Sequence, residues 1–279
     1  ILMPTYSLTR AITHSLTRHI TQAGAGGQSL DSAIRALFAK YSAVGGMWDF
    51  TDASTLFQDS AGTTPVTATS QPVGRANDLS GLGNHLIQAT SASRPLYNGA
   101  GVTFDGVDDV LRSASSIDLS SAGKVCIALL FTPISSSGSY PPYFIVGEIP
   151  WQPASSGVGI YGRSNAGIVE SMDPYIRAAG EVTSETIFSL TQQAMVARYR
   201  LPAGTTAEAI RAVINGALVP PKGDSAISGA FPNALVSMGS DPLDWGYWAS
   251  YSVKRALVIG ANLTDDEAAL LTAWLGEVA

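Results

Sequence analysis

Three kinds of residue in this chain have chemistry to offer: clustered carboxylates, a run of aromatic rings, and three histidines. Asp105, Asp108 and Asp109 fall within five residues of one another. Oxygen-rich turns of this sort hold Ca²⁺, but three carboxylates fall short of the roughly six or more oxygens that ion takes, and the EF-hand spacing is absent. Asp105-Gly106 serves a turn equally well. Ca²⁺ is the one candidate cofactor, these aspartates are its candidate metal ligands, and the expectation is that none is bound. The densest aromatic stretch runs from Leu243 to Tyr251. Sugar rings stack on exposed tryptophan and tyrosine faces, while core packing and protein interfaces use the same residues. Trp245, Tyr247, Trp248 and Tyr251 are therefore candidate contacts with a carbohydrate or a partner. His14 and His19 lie five apart, off any single helix face, and His85 follows a glycine-rich turn as a structural residue. Cys126 sits in the apolar run Val125 to Phe131, which reads as a buried strand rather than a reactive site. A single cysteine also allows no internal disulfide. With no nucleophile triad, metal-ligand motif or phosphate loop, and few acid–base groups, the chain is expected not to be an enzyme. No catalytic residue is assigned.

The elements that must position these residues change character along the chain. Residues 1–46 are basic, with Arg10, Arg18, Arg35 and Lys40 against Asp31. Within them Ser-Leu-Thr-Arg recurs at a period of eight residues, at Ser7 and at Ser15. Leu8, Ile12, Leu16 and Ile20 fall on one face of either a helix or a strand, and the threonine content favours extended structure. Gln22 to Gln28, rich in Gly and Ala, reads as a linker. Ser29 then caps a helix over 29–41, with an apolar stripe of Leu30, Ala33, Ile34, Leu37, Phe38 and Tyr41. From Met47 the texture is β, short apolar runs separated by Gly, Pro, Asn and Asp. Val102 and Phe104 alternate as buried strand positions, with Val107 to Leu111 as the return strand. Val125 to Phe131, Tyr143 to Val146, Ala194 to Leu201 and Val253 to Ile259 read as buried strands. Asn215-Gly216 joins Ala209–Ile214 to Ala217–Val219 as a type I′ hairpin. Thr264 and Glu267 form a capping box that opens a C-terminal helix over 264–275.

The composition suits a folded chain with a large core. Of 279 residues, 46% are hydrophobic and only 14% charged, too apolar for a mainly disordered protein. A net charge of −6 argues against nucleic acid as a partner. No apolar run approaches the ~18 residues of a membrane span, and no secretory signal pattern is present, so no membrane partner is expected. The chain starts at Ile1 with its first methionine at position 3, consistent with a trimmed start or a few missing leading residues.

The segment Phe57 to Asp109 carries a resemblance. It reads F-Q-D-S-A-G-T-T-P-V-T-A, then Q-P-V-G-R-A-N-D-L-S-G-L-G-N-H, then R-P-L-Y and F-D-G-V-D-D. Order and spacing, more than any one motif, make it resemble the jelly roll of concanavalin A-like lectins and glucanases (LamG-like), in the version carried by structural proteins of tailed bacteriophages. A strand ending R-A-L-V-I, followed by L-T-D-D-E-A and an apolar helix, is similar to the C-terminal signature of those modules. The resemblance implies an all-β, concanavalin A-like jelly-roll β-sandwich over 47–279, two packed antiparallel sheets. It is preceded by an anchoring arm over 1–46 that includes the short helix. It implies a non-enzymatic virion component: head decoration, head fibre, tail fibre or tail tip. Leu8, Arg10, Ile12, Leu16, Arg18 and Ile20 of the arm would hold it to other virion proteins and to sister subunits of a homo-oligomer. A carbohydrate-binding module for host surface glycans is the alternative, and a glycan hydrolase the third reading. The glucanase branch places Glu, an apolar residue, Asp and Glu on one strand face. Here Glu148-Ile149-Pro150-Trp151-Gln152 echoes it with a proline for the Asp and no second acid, and proline disrupts a strand ladder.

Overall fold

The computed structural model describes residues 29–137, 142–147, 156–165, 168–178, 180–183, 186–187, 191–220, 226–240 and 247–276. The six arm residues, Glu148 and Trp245 lie outside the described residues. The fold is mostly β with short helices, and every strand pairing among the described residues is antiparallel. In the first sheet the order is Ala217–Val219, Ile210–Ile214, Gln193–Arg200, Lys124–Ser137, Trp248–Ile259, Val102–Asp105 and Leu96–Tyr97, with Gly45–Asp49 also pairing to Trp248–Ile259. In the second sheet Gly180–Thr183, Ile168–Ala178, Gly157–Asn165, Pro142–Gly147, Val236–Met238, Leu111–Ser113, Leu86–Ile87, Arg75–Ala76 and Leu56–Phe57 follow one another. This is the expected β-sandwich.

The core follows from alternation. Ile127, Leu129 and Phe131 on one strand, with Met195, Ala197 and Tyr199 beside them, turn inward to meet Phe144, Val146, Val158, Ile160 and Ile176 of the second sheet. Two phenols bolt the sheets together. The Tyr251 hydroxyl donates to the Tyr143 carbonyl at 2.6 Å, and the Tyr199 hydroxyl donates to the Gly159 carbonyl at 2.7 Å. Burial holds both phenols well above their ordinary pKa, so they remain donors. Phe104 stacks on Tyr251 with ring centroids 4.7 Å apart. At the hairpin, Asn215 and Gly216 both take positive φ (48° and 81°), as a type I′ turn requires.

One expected pairing is corrected. Val107 to Leu111 does not return beside Val102–Asp105. Asp109 closes a tight turn by accepting from the Asp105 amide at 2.9 Å, and the chain then crosses to the second sheet as Leu111–Ser113. The turn around Asp78 is a brace: its carboxylate accepts from the Met47, Ser80 and Asn84 amides. Asn84 donates onward to the Gly45 carbonyl, and the His85 Nδ1 accepts from the Asp78 amide at 3.0 Å. These bonds satisfy polar groups beside Gly45–Asp49, at the border of the first sheet.

The outer side of the first sheet carries both long helices. Ser29 caps Leu30–Tyr41, which buries Ile34, Leu37 and Phe38 in a cluster with Met47, Cys126, Ala128, Leu130, Leu257 and Ile259. Asp265–Gly276 adds Leu271, Trp274 and Leu275 to the same cluster, and Thr264 and Glu267 form the capping box. Glu267 also joins the helices, accepting from Lys40 at 2.6 Å and from the Tyr41 hydroxyl at 2.7 Å. Burial raises its pKa, but the hydrogen bonds from Lys40, Thr264 and Tyr41 outweigh that and pull it down to about 2. A depressed carboxyl pKa stabilises the fold fully above the unfolded value near 4.5 and loses that contribution as pH falls towards 2. Urea unfolding between pH 5 and pH 2 should therefore show a decline, of about 1 kcal/mol once solvent screening is allowed for. Glu267→Gln should remove about that much of it and leave the share of Asp59, Asp118 and Asp265, whose pKa values are also depressed; an equally steep decline in that variant would remove Glu267 as a source.

Candidate functional site

The strand Trp248–Ile259 has two environments on its outer side. Its pairing with Lys124–Ser137 slips between Val253 and Arg255, leaving Lys254 as a bulge whose carbonyl accepts from the Phe50 amide. After the bulge, Leu257 and Ile259 lie under the helices, and Ala256 and Val258 in the sandwich core. Before it, Ala249, Tyr251 and Val253 are in the core, so Trp248, Ser250 and Ser252 fall on the outer side. Thr103 and Asp105 share that side, paired with Ser252 and Ser250. This half of the sheet is polar. Asp105 and Asn98 are exposed, Thr103, Ser252 and Trp248 half-buried, and Leu96 is 45% exposed.

Asn98 organises the face. Its Nδ2 donates to Thr103 Oγ1 at 2.9 Å and to Ser252 Oγ at 2.7 Å, while its Oδ1 accepts from the Ala100 amide. Each hydroxyl oxygen is thereby engaged as an acceptor through one lone pair and keeps its own O–H and a second lone pair to offer. Beside these donors stands an acceptor. Asp105 is pinned by the Val107 and Asp108 amides, and the Asp105–Asp109 turn packs against Ser250 through Gly106. The face thus combines hydroxyl donors, a carboxylate acceptor and the indole of Trp248. This combination suits a ligand with a hydrogen-bonding rim and an apolar flat.

The three aspartates come together as their spacing suggested, with carboxylate oxygens within 4.8 Å of one another. Asp109 is 6% exposed, and its pKa rises to about 6. Burial is the main cause, reinforced by the charges of Asp105 and Asp108 and partly offset by the Asp105 amide. One oxygen from each could reach a hard cation, yet Asp105 and Asp109 already accept backbone amides that account for the turn.

The aromatic stretch is divided. Trp248 lies on the polar face. Tyr247, half-buried, packs on Ile145, Tyr161 and Tyr175 at the outer side of the second sheet. Tyr251 is a correction: it is fully buried, and its hydroxyl serves the Tyr143 carbonyl, so no ligand reaches it. Sequence reasoning missed Asn98, Thr103 and Ser252. The alternation of Trp248, Ser250 and Ser252 with Ala249, Tyr251 and Val253 marks one polar side and was the available signal.

No protein-family model matches the chain, and no curated protein matches it. Among solved structures, a Trypanosoma rangeli sialidase in complex with sialic acid superposes with a TM-score of 0.56 at 13% identity, over 84% of this chain and 33% of that one. The chain thus spans about a third of that sialidase's length. A structure concerning botulinum neurotoxin type C and two ganglioside molecules gives 0.47 at 12% identity over 81% and 52%. Domain 4 of a Geobacillus stearothermophilus arabinanase with arabinotriose gives 0.44 at 12% over 82% and 98%. The last two superpose too loosely to carry an argument, and the sialidase likeness shows the fold alone. It is a β-sandwich of jelly-roll type. The expectation of a non-enzyme is overturned here. The same fold occurs within a protein that is by name an enzyme, and a fold shared that way gives no ground for excluding one. The missing triad, metal-ligand motif and phosphate loop, the few acid–base groups and the lost acid pattern at Glu148 are all absences of sequence patterns, and a missing pattern is a weaker test than geometry.

Gly106 has φ of +78°, and a Cβ there would lie 2.8 Å from the Ser250 Cβ. Gly106→Ala should lower stability by about 1–3 kcal/mol in urea unfolding. Val107→Ser, at a side chain 67% exposed, should stay within about 0.5 kcal/mol of the parent. Equal stability of the two variants would show that the turn does not press on the face.

Proposed function

We propose that this chain is a carbohydrate-binding β-sandwich whose ligand lies on the polar half of the first sheet's outer side. The observation that carries the reading is the shared Asn98 amide, which draws the Thr103 and Ser252 hydroxyls together on one side of the sheet, each with its O–H still to offer. A sugar ring offers oxygens to such donors, hydroxyls to the Asp105 carboxylate, and an apolar C–H face to Trp248. Binding to an array of surface oligosaccharides tests this. Trp248→Ala and Asn98→Ala should each weaken binding at least tenfold, a loss of about 1.4 kcal/mol or more, while the chain still unfolds cooperatively. Undiminished binding by both folded variants would sink the reading.

A second reading concerns the setting. The Phe57–Asp109 resemblance supports a virion protein of a tailed bacteriophage, anchored by residues 1–28 to other virion proteins or to sister copies and presenting the sandwich to host glycans. Ile34, Leu37 and Phe38 sit in the core cluster with the first sheet, so a chain beginning at Ser29 keeps every described core residue. That truncated chain is expected to fold and to fail to join particles or oligomers. Normal incorporation would end the anchoring role.

A further inference from the structure

The polar face is lopsided in charge, and this names the class of sugar it takes. Asp105 stands on the face, paired in register with Ser250, and Asp108 follows in the same turn. Among the described residues, the other polar groups of the face, Asn98, Thr103 and Ser252, are neutral. The nearest basic side chain on the same strand is Lys254, at the bulge, whose stem runs beside Gly101 of the Asn98 turn, at the opposite end of the face from Asp105. Arg94, in the neighbouring loop, turns its guanidinium back to the Gln88 and Ala89 carbonyls. Recognition of a sugar carboxylate, sulfate or phosphate relies on guanidinium forks or ammonium groups aimed at the anion. This face instead offers hydroxyl donors beside carboxylates.

We infer, on the basis of the carbohydrate reading above, that the face selects uncharged, hydroxyl-rich glycans and rejects acidic ones, with Asp105 as the specificity-determining residue. A carboxylate accepts two sugar hydroxyls well, and it repels a uronic or sialic carboxylate placed at the same spot. Like charges brought together act against the wrong ligand as effectively as good contacts act for the right one. The protein's net charge of −6 acts in the same direction at longer range.

The test compares a neutral hexose oligomer with a uronic acid oligomer of the same length, by calorimetry on the full chain. EDTA is present so that no cation bridges the two anions. The neutral oligomer should bind at least tenfold more tightly at low salt, and the gap should narrow as salt screens the repulsion. Asp105→Asn keeps an oxygen for the Val107 and Asp108 amides. It should shrink the gap, read as the ratio of the two affinities, by at least threefold. Equal or tighter binding of the uronic oligomer by the parent chain overturns the inference while leaving the carbohydrate reading intact. So does an unchanged gap in Asp105→Asn. Binding of neither oligomer, nor of any array glycan, brings down the carbohydrate reading and this inference with it.

Discussion

One strand, Trp248–Ile259, has to face helices along half of its outer side and water along the other half. The bulge at Lys254 makes this possible. A strand alternates with a period of two, so a single extra residue exchanges the side on which its apolar residues fall. Before the bulge, odd-numbered residues such as Tyr251 and Val253 enter the sandwich; after it, the even-numbered Ala256 and Val258 do. Leu257 and Ile259 are thereby released to pack under the helices, while Ser252 stays on the open face and Ser250 lies beneath the Gly106 turn. The border between a buried and a recognition surface is set within this one strand.

The covered half is secured by a charge pair that a poorly matched interior would not tolerate. Arg255 and Asp49 are both buried and meet at 2.9 Å. A buried pair is stabilising only when its remaining donors and acceptors are also satisfied. Here Arg255 donates to the Trp274 carbonyl and lies over the Trp274 ring at 5.0 Å, and Asp49 accepts from the Thr51 amide and hydroxyl. The Trp274 indole in turn donates to Asp31 of the N-terminal helix at 2.7 Å. The two helices and two strands of the first sheet are thus tied through one tryptophan. A rigid covered half keeps the neighbouring strands in register, and so holds the Thr103 and Ser252 hydroxyls within reach of the Asn98 amide.

Much of the fold was legible in the sequence because its signals were local. Asn215-Gly216, the Thr264–Glu267 box, the Ser29 cap and the alternation of Val102 with Phe104 each depend on a few neighbouring residues. What failed depended on distant partners. Val107 to Leu111 has strand-like composition, and nothing nearby reveals that Asp109 ends one sheet and sends the chain to the other. Tyr251 resembles its neighbour Trp248 in type, yet one phase of the strand separates a core residue from a surface one. Asn98 reads as a turn residue, and its role exists only because Ser252, far along the chain, is brought beside it. The carboxylate cluster was visible as spacing, but its place at the end of the polar face came from the pairing of Asp105 with Ser250.

The central claim is that the polar half of the first sheet is the recognition surface, and an NMR titration of the labelled chain with a neutral oligosaccharide tests it most directly. The account predicts saturable shifts at the Trp248 indole N–H, the Asn98 side-chain amide and the backbone amides of Thr103 and Ser252. Residues beneath the helices, such as Leu257, should stay unmoved. Shifts centred instead on Tyr161 and Tyr175 of the second sheet, or none anywhere at millimolar ligand, would contradict it.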